Sequence, residues 1–168
     1  MVSIQGFIRE ICLGVHTISV HLLLYKSIFL ASILFNSQAW SNLTESDIHK
    51  LSALQLKFLK GIMKARKCTT SSFVYLELGV LPIIYEIHKR QLSFLHHIVH
   101  LEEEDPVKGV WRNQQALPSY ANWWRDVEGL LRKYSLNWTE EEIKGMSKDS
   151  FKRKVNDAIE SKAVTELN

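Results

Sequence analysis

Proline and glycine are scarce in this chain, with 3 and 7 in 168 residues. Tight turns and hairpins draw on both residue types, so their scarcity points to long helices joined by few loops. Cysteine is scarcer still: Cys12 and Cys68 stand far apart and without neighbours. No disulfide framework or zinc ribbon follows from them, and a reducing compartment is expected, intracellular and either nuclear or cytoplasmic. The Gly residues are scattered singly, so there is no phosphate-cradling loop, and no G-x-S-x-G elbow is present. Met1 to Leu13 carries Arg9 and Glu10 among its apolar residues and lacks the cationic start of a secretory signal. The main hydrophobic run, Leu22 to Phe35, is broken by Lys26, Ser27 and Ser32 and falls short of the roughly 20 residues that span a membrane. These absences leave no ground for a cofactor, a small-molecule substrate or a membrane partner.

What is present is ordinary for a globular chain: 46% hydrophobic and 23% charged residues, enough for one domain or two small helical subdomains. The net charge of +3 permits a nucleic-acid partner without demanding one. The spacing predicts an all-α fold organised around Leu22 to Lys67. Its first half reads as a core helix, apolar nearly all round and ending near Asn36 to Trp40. Thr44 with Asp47 then forms the start of a second helix, in the manner of a capping box. At about 100° per residue, Ile48, Leu51, Leu54, Phe58, Leu59 and Ile62 share one face, and Lys50, Lys57, Lys60, Lys64 and Lys67 lie nearly opposite. With Arg66, the second half of the stretch holds 6 cations against Glu45 and Asp47. One reading is a solvated face of an amphipathic helix. The other is a rail of cations that follows a nucleic-acid backbone, since phosphate contacts are made by Lys and Arg regardless of sequence.

Further along, Phe73 to Leu78 reads as a short helix stopped by Gly79, and Pro82 opens a helix to about Glu103 with Ile84, Ile87, Phe94, Leu95, Ile98 and Leu101 on one face. The acidic end, Glu102 to Asp105, opposes the helix dipole and is expected to fray. Asp105-Pro106 opens another short helix, Ser119 or Asn122 caps the next, Thr139 with Glu142 forms a capping box, and Ser147 starts a last helix with Phe151, Val155, Ile159 and Ala163 inward. His96, His97 and His100 invite a zinc reading, with a carboxylate from Glu103 or Glu104 one turn on. His97 occupies the place of the Glu in HExxH, so exposed or backbone-bonded histidines are the default and no metal site is expected. The five Trp residues could stack bases, but read more simply as fillers between helices.

The strings LYKSIFLASILFNSQAW, Leu51 to Met63 and YLELGVLPIIYEIHKRQLSFLHHI resemble the segment just downstream of the palm in non-LTR retrotransposon reverse transcriptases of the long interspersed element (LINE) type. The counterparts are Leu34 to Trp40, Leu51 to Ile62, Glu77-Leu78-Gly79 to Pro82, and Arg90 to Phe94. A tail with Met146, Ser147, Phe151 and Lys152 also looks like that family, so the resemblance covers about Leu22 to Ala163. It implies a helical thumb-like bundle at 22–105, followed by a smaller helical subdomain at 106–168. Residues 1–21 would be a truncated lead-in from a missing upstream palm. The palm's aromatic-x-Asp-Asp turn is absent, as are the zinc knuckle and endonuclease of some relatives. The resemblance therefore implies a non-catalytic fragment that grips an RNA/DNA template–primer duplex, with Lys50, Lys57, Lys60, Lys64, Arg66 and Lys67 as the contacts, beside an active site supplied elsewhere. The alternative is a helical interaction or structural domain with no nucleic-acid role.

Overall fold

The structure is a computed structural model that describes residues 18–117 and 122–167. The readings made for residues 1–17, and Ser119 as a cap, lie outside it. Among the described residues every regular element is a helix and none is a strand, so the fold is all-α. Helix α1 begins at Ile18–Leu24, widens into a π-helical stretch at Tyr25–Leu30 and closes at Ala31–Ile33; a 3-10 turn, Ser37–Ala39, follows. Then come α2 (Glu45–Met63), α3 (Ser71–Leu78), α4 (Ile83–Val99), α5 (Pro106–Ala116), α6 (Trp123–Lys133), α7 (Glu140–Lys144) and α8 (Lys148–Leu167).

The helix ends follow local rules. Thr44 and Asp47 exchange bonds in a full capping box, Thr139 and Glu142 do the same, and Asp105 and Asn122 cap α5 and α6 with their side chains. Gly79 ends α3 at φ 58, a left-handed conformation that suits a residue without Cβ. Phe151, Val155, Ile159 and Ala163 form the buried stripe of α8, as the i, i+4 spacing predicts.

Four expectations need correction. Helix α1 is not buried all round: Tyr25, Phe29 and Leu30 turn inward, but Leu23 is 64% exposed, and Phe35, just past the helix end, 79%. Among the described residues only one side of α1 finds neighbours. Helix α2 is rotated slightly from the predicted phase, so Leu54 is 46% exposed while Gln55 is fully buried. The organising element is α4 rather than 22–67. Ile83 and Ile87 belong to an apolar cluster with α1, α2 and α3, whereas Tyr85, Leu92, Leu95, Ile98 and Val99 belong to one with α5, α6, α7 and α8. Two sets of helices cover α4 from different sides, and a helix so covered is apolar on most of its circumference. The two clusters therefore meet along α4, and Pro106 falls within the sequence span of the second.

Helix α4 also ends earlier than predicted, at Val99. The acidic residues 102–105 lie beyond it, where Glu103 pairs with Lys108 at 2.7 Å and Asp105 caps α5. Lys108 is buried to 1% exposure and donates to the carbonyls of Val99 (3.3 Å) and Leu101 (2.7 Å). A cation at a helix C-terminus complements the dipole and satisfies carbonyls that have no partner within the helix.

Candidate nucleic-acid interface

Helix α2 is held by its polar interior as much as by its apolar side chains. The Gln55 amide nitrogen donates to Tyr25 Oη (2.7 Å) and to the Leu81 carbonyl (2.8 Å). Its oxygen accepts from Tyr75 Oη (3.0 Å) and from the backbone N–H of Ile83 (2.8 Å), a first-turn donor of α4. Every site on the amide is used, which is what allows so polar a group to be buried. Burial raises the Tyr25 phenol and pushes that of Tyr75 up to about 12, so both stay protonated, Tyr75 as a donor to the amide and Tyr25 as its acceptor. Phe58 and Leu59 pack beside this hub.

With Gln55, Phe58 and Leu59 inward, the cations of α2 face out. Lys50, Lys57 and Lys64 recur every seven residues, so they form one line about 10.5 Å apart along the axis. All three are exposed, as are Arg66 and Lys67 in the loop that follows. That spacing exceeds the roughly 8 Å Debye length at physiological salt, so their mutual repulsion is largely screened. Lys50 has a weak partner, Asp47 at 3.9 Å, whose carboxyl is held below its ordinary range first by its hydrogen bonds to Thr44.

Lys60 does not join the others. It is half-buried and its Nζ donates to the Lys67 carbonyl at 2.8 Å, closing the loop after α2. Lys64 sits at φ 52 as the C-terminal cap. Of the six predicted contacts, five are therefore turned to solvent on α2 and its loop, and one serves the local fold.

His96 of α4 and His100 at its end are committed to backbone carbonyls. His96 is buried and its Nε2 donates to the Met146 carbonyl at 3.0 Å; His100 Nδ1 donates to the His96 carbonyl at 2.8 Å. Their rings stack at 4.2 Å. Glu103 is turned to Lys108, whose hydrogen bond is the first cause lowering its carboxyl pKa, and the charges of Arg112 and Lys144 act in the same direction. Among the described residues no group of three His, Cys, Asp or Glu side chains is placed to hold a metal ion. The Trp residues are packed: Trp111 and Trp123 are buried, Trp40, Trp124 and Trp138 lie against the clusters, and Trp123 Nε1 donates to the Gln38 carbonyl at 2.8 Å.

Sequence reasoning missed a second basic group. Lys89 and Arg90 on α4 and Lys148 and Lys152 on α8 line a common cleft. They come from opposite ends of the C-terminal half, and no linear pattern joins them. No helix among the described residues is long and apolar enough to cross a membrane. Compared with protein-family models, curated proteins and solved structures, the chain finds no match.

Proposed function

We propose that this chain is a non-catalytic helical module that grips nucleic acid, of the kind that follows the palm in a LINE-type reverse transcriptase, and that it acts inside the cell. The observation that carries the reading is the line of exposed Lys50, Lys57 and Lys64 on α2, continued by Arg66 and Lys67, opposite the side that packs. Such a rail suits the backbone of a template–primer duplex, which it would hold without reading sequence. The exposed Leu23 of α1 and Phe35 just past its end suit a contact with an upstream palm.

The salt dependence of binding to an RNA–DNA hybrid tests it. Each phosphate contact contributes roughly 0.9 to the log–log slope on B-form duplex. Changing Lys57→Gln and Lys64→Gln together is expected to flatten the slope by about 1.8 by that estimate, with no more than a small drop in melting temperature from losing the Lys64 charge at the end of α2. Equal affinity and slope in parent and variant would favour the second reading, a helical interaction domain. One observation supports that alternative: Lys60 and Lys64 lie at the C-terminal end of α2 and Glu45 and Asp47 at its start, where each charge stabilises the helix dipole without any ligand.

A further inference from the structure

A cleft of about 950 Å³ opens between α4 and the first turns of α8, with Gln38 of the 3-10 turn also on its wall. Its two sides differ in chemistry. The α8 side presents Lys148 and Lys152, which are exposed, lie one turn apart and make no ion pair among the described residues. The α4 side presents rings: half-buried Phe94 and exposed His97 stack on each other with centroids 6.1 Å apart. Lys89 and Arg90 continue the basic lining along α4. Lys89 is neutralised by Glu160 at 2.9 Å, whereas Arg90 donates to the Leu34 carbonyl at 2.9 Å, which leaves its charge uncancelled. No carboxylate lines the cleft among the described residues.

One wall of cations facing one wall of rings matches a strand whose phosphates and bases point in different directions. A duplex keeps its bases stacked inside, so the rings would find nothing to do against it. In a single strand the bases are free to stack on aromatic side chains while Lys and Arg follow the backbone. We propose that this cleft binds single-stranded nucleic acid, with Lys148 and Lys152 on its phosphates and a base stacked on the Phe94–His97 pair. The proposal rests on the reading of the chain as a nucleic-acid module, but it uses a different surface from the rail on α2.

The test is fluorescence anisotropy with a labelled oligo-dT of about 12 nucleotides, within the usual site size of single-strand binders, and in parallel with an RNA–DNA hybrid. Changing Lys148→Gln and Lys152→Gln together is expected to flatten the oligo-dT salt slope by about 1.4, two contacts at roughly 0.7 each, and to leave hybrid binding unchanged. His97→Ala is expected to weaken oligo-dT binding roughly fivefold or more with the slope intact, because it removes stacking and no fixed charge. The cleft is refuted if the parent binds no oligo-dT at low salt, or if the double variant keeps the parent's affinity and slope. It is refuted as well if His97→Ala and the double variant weaken the hybrid as much as oligo-dT. Failure here with a flattened hybrid slope in the α2 variant leaves the rail standing; the reverse result removes the rail and keeps the cleft.

Discussion

His88 illustrates how a single side chain couples this fold to pH. It is buried on α4 with Nδ1 2.6 Å from Tyr134 Oη and its ring edge-on to Tyr85 and Tyr134. Burial, and secondarily the nearby Lys133 ammonium, push its pKa down from 6.5 to about 3. The unfolded chain therefore binds a proton between those values while the native chain does not, so stability falls as pH drops through that window. The slope from this group is at most about 1.4 kcal/mol per pH unit. Denaturant titrations from pH 7 to pH 4.5, above the range where most carboxylates protonate, are expected to show stability falling with pH. His88→Gln keeps a donor and an acceptor for Tyr134 but does not titrate, so it is expected to flatten that dependence. An unchanged slope in the variant would assign the effect to other histidines. His88 is not among the residues that the spacing puts on the apolar face of its helix; it is buried because α4 is covered on more than one side.

At the scale of elements, Gln55 joins α1, α2, α3 and the start of α4 through one amide. Replacing it with Leu keeps the bulk but leaves two phenols, one carbonyl and one backbone N–H without their partner. Each buried polar group stranded in this way costs about 1–3 kcal/mol. Allowing for partial rehydration, Gln55→Leu is expected to cost about 3 kcal/mol or more, read as a lower urea midpoint with an unchanged m-value. A loss below about 1 kcal/mol would mean that water or rearranged side chains replace the amide. Nothing in the local pattern distinguishes Gln55 from a solvent-facing residue, because its importance comes from partners 20 to 30 positions away. Lys108 is a similar case, a lysine in a short amphipathic helix whose ammonium is buried against the end of a different helix.

For the whole molecule, the shared α4 has a mechanical consequence. The two apolar clusters divide its side chains between them, so neither cluster keeps its lining if α4 unfolds. Unfolding in denaturant is expected to be a single transition, with tryptophan fluorescence and far-UV circular dichroism giving the same midpoint. The comparison is informative because four of the five tryptophans, Trp111, Trp123, Trp124 and Trp138, report on the C-terminal cluster and Trp40 on the other, while the dichroism reports on every helix. Separate midpoints would show that the clusters unfold independently, as the boundary at 105/106 expected from sequence would allow.

The sequence by itself determined that the chain is helical, and where most of its helices begin and end. Thr44 with Asp47, Thr139 with Glu142, Asn122 and Gly79 act on backbone groups within a few residues, so no distant neighbour is needed to read them. The stripe of α8 was legible for the same reason. Tertiary structure alone decided that Gln55 rather than Leu54 faces inward, that α4 is covered on two sides, that Lys60 closes a loop, and that Lys148 and Lys152 face Phe94 and His97 across a cleft. A helix satisfies its own hydrogen bonds and caps within a turn, but its rotation about its axis is set by the surfaces that pack against it. Those surfaces come from residues far away along the chain.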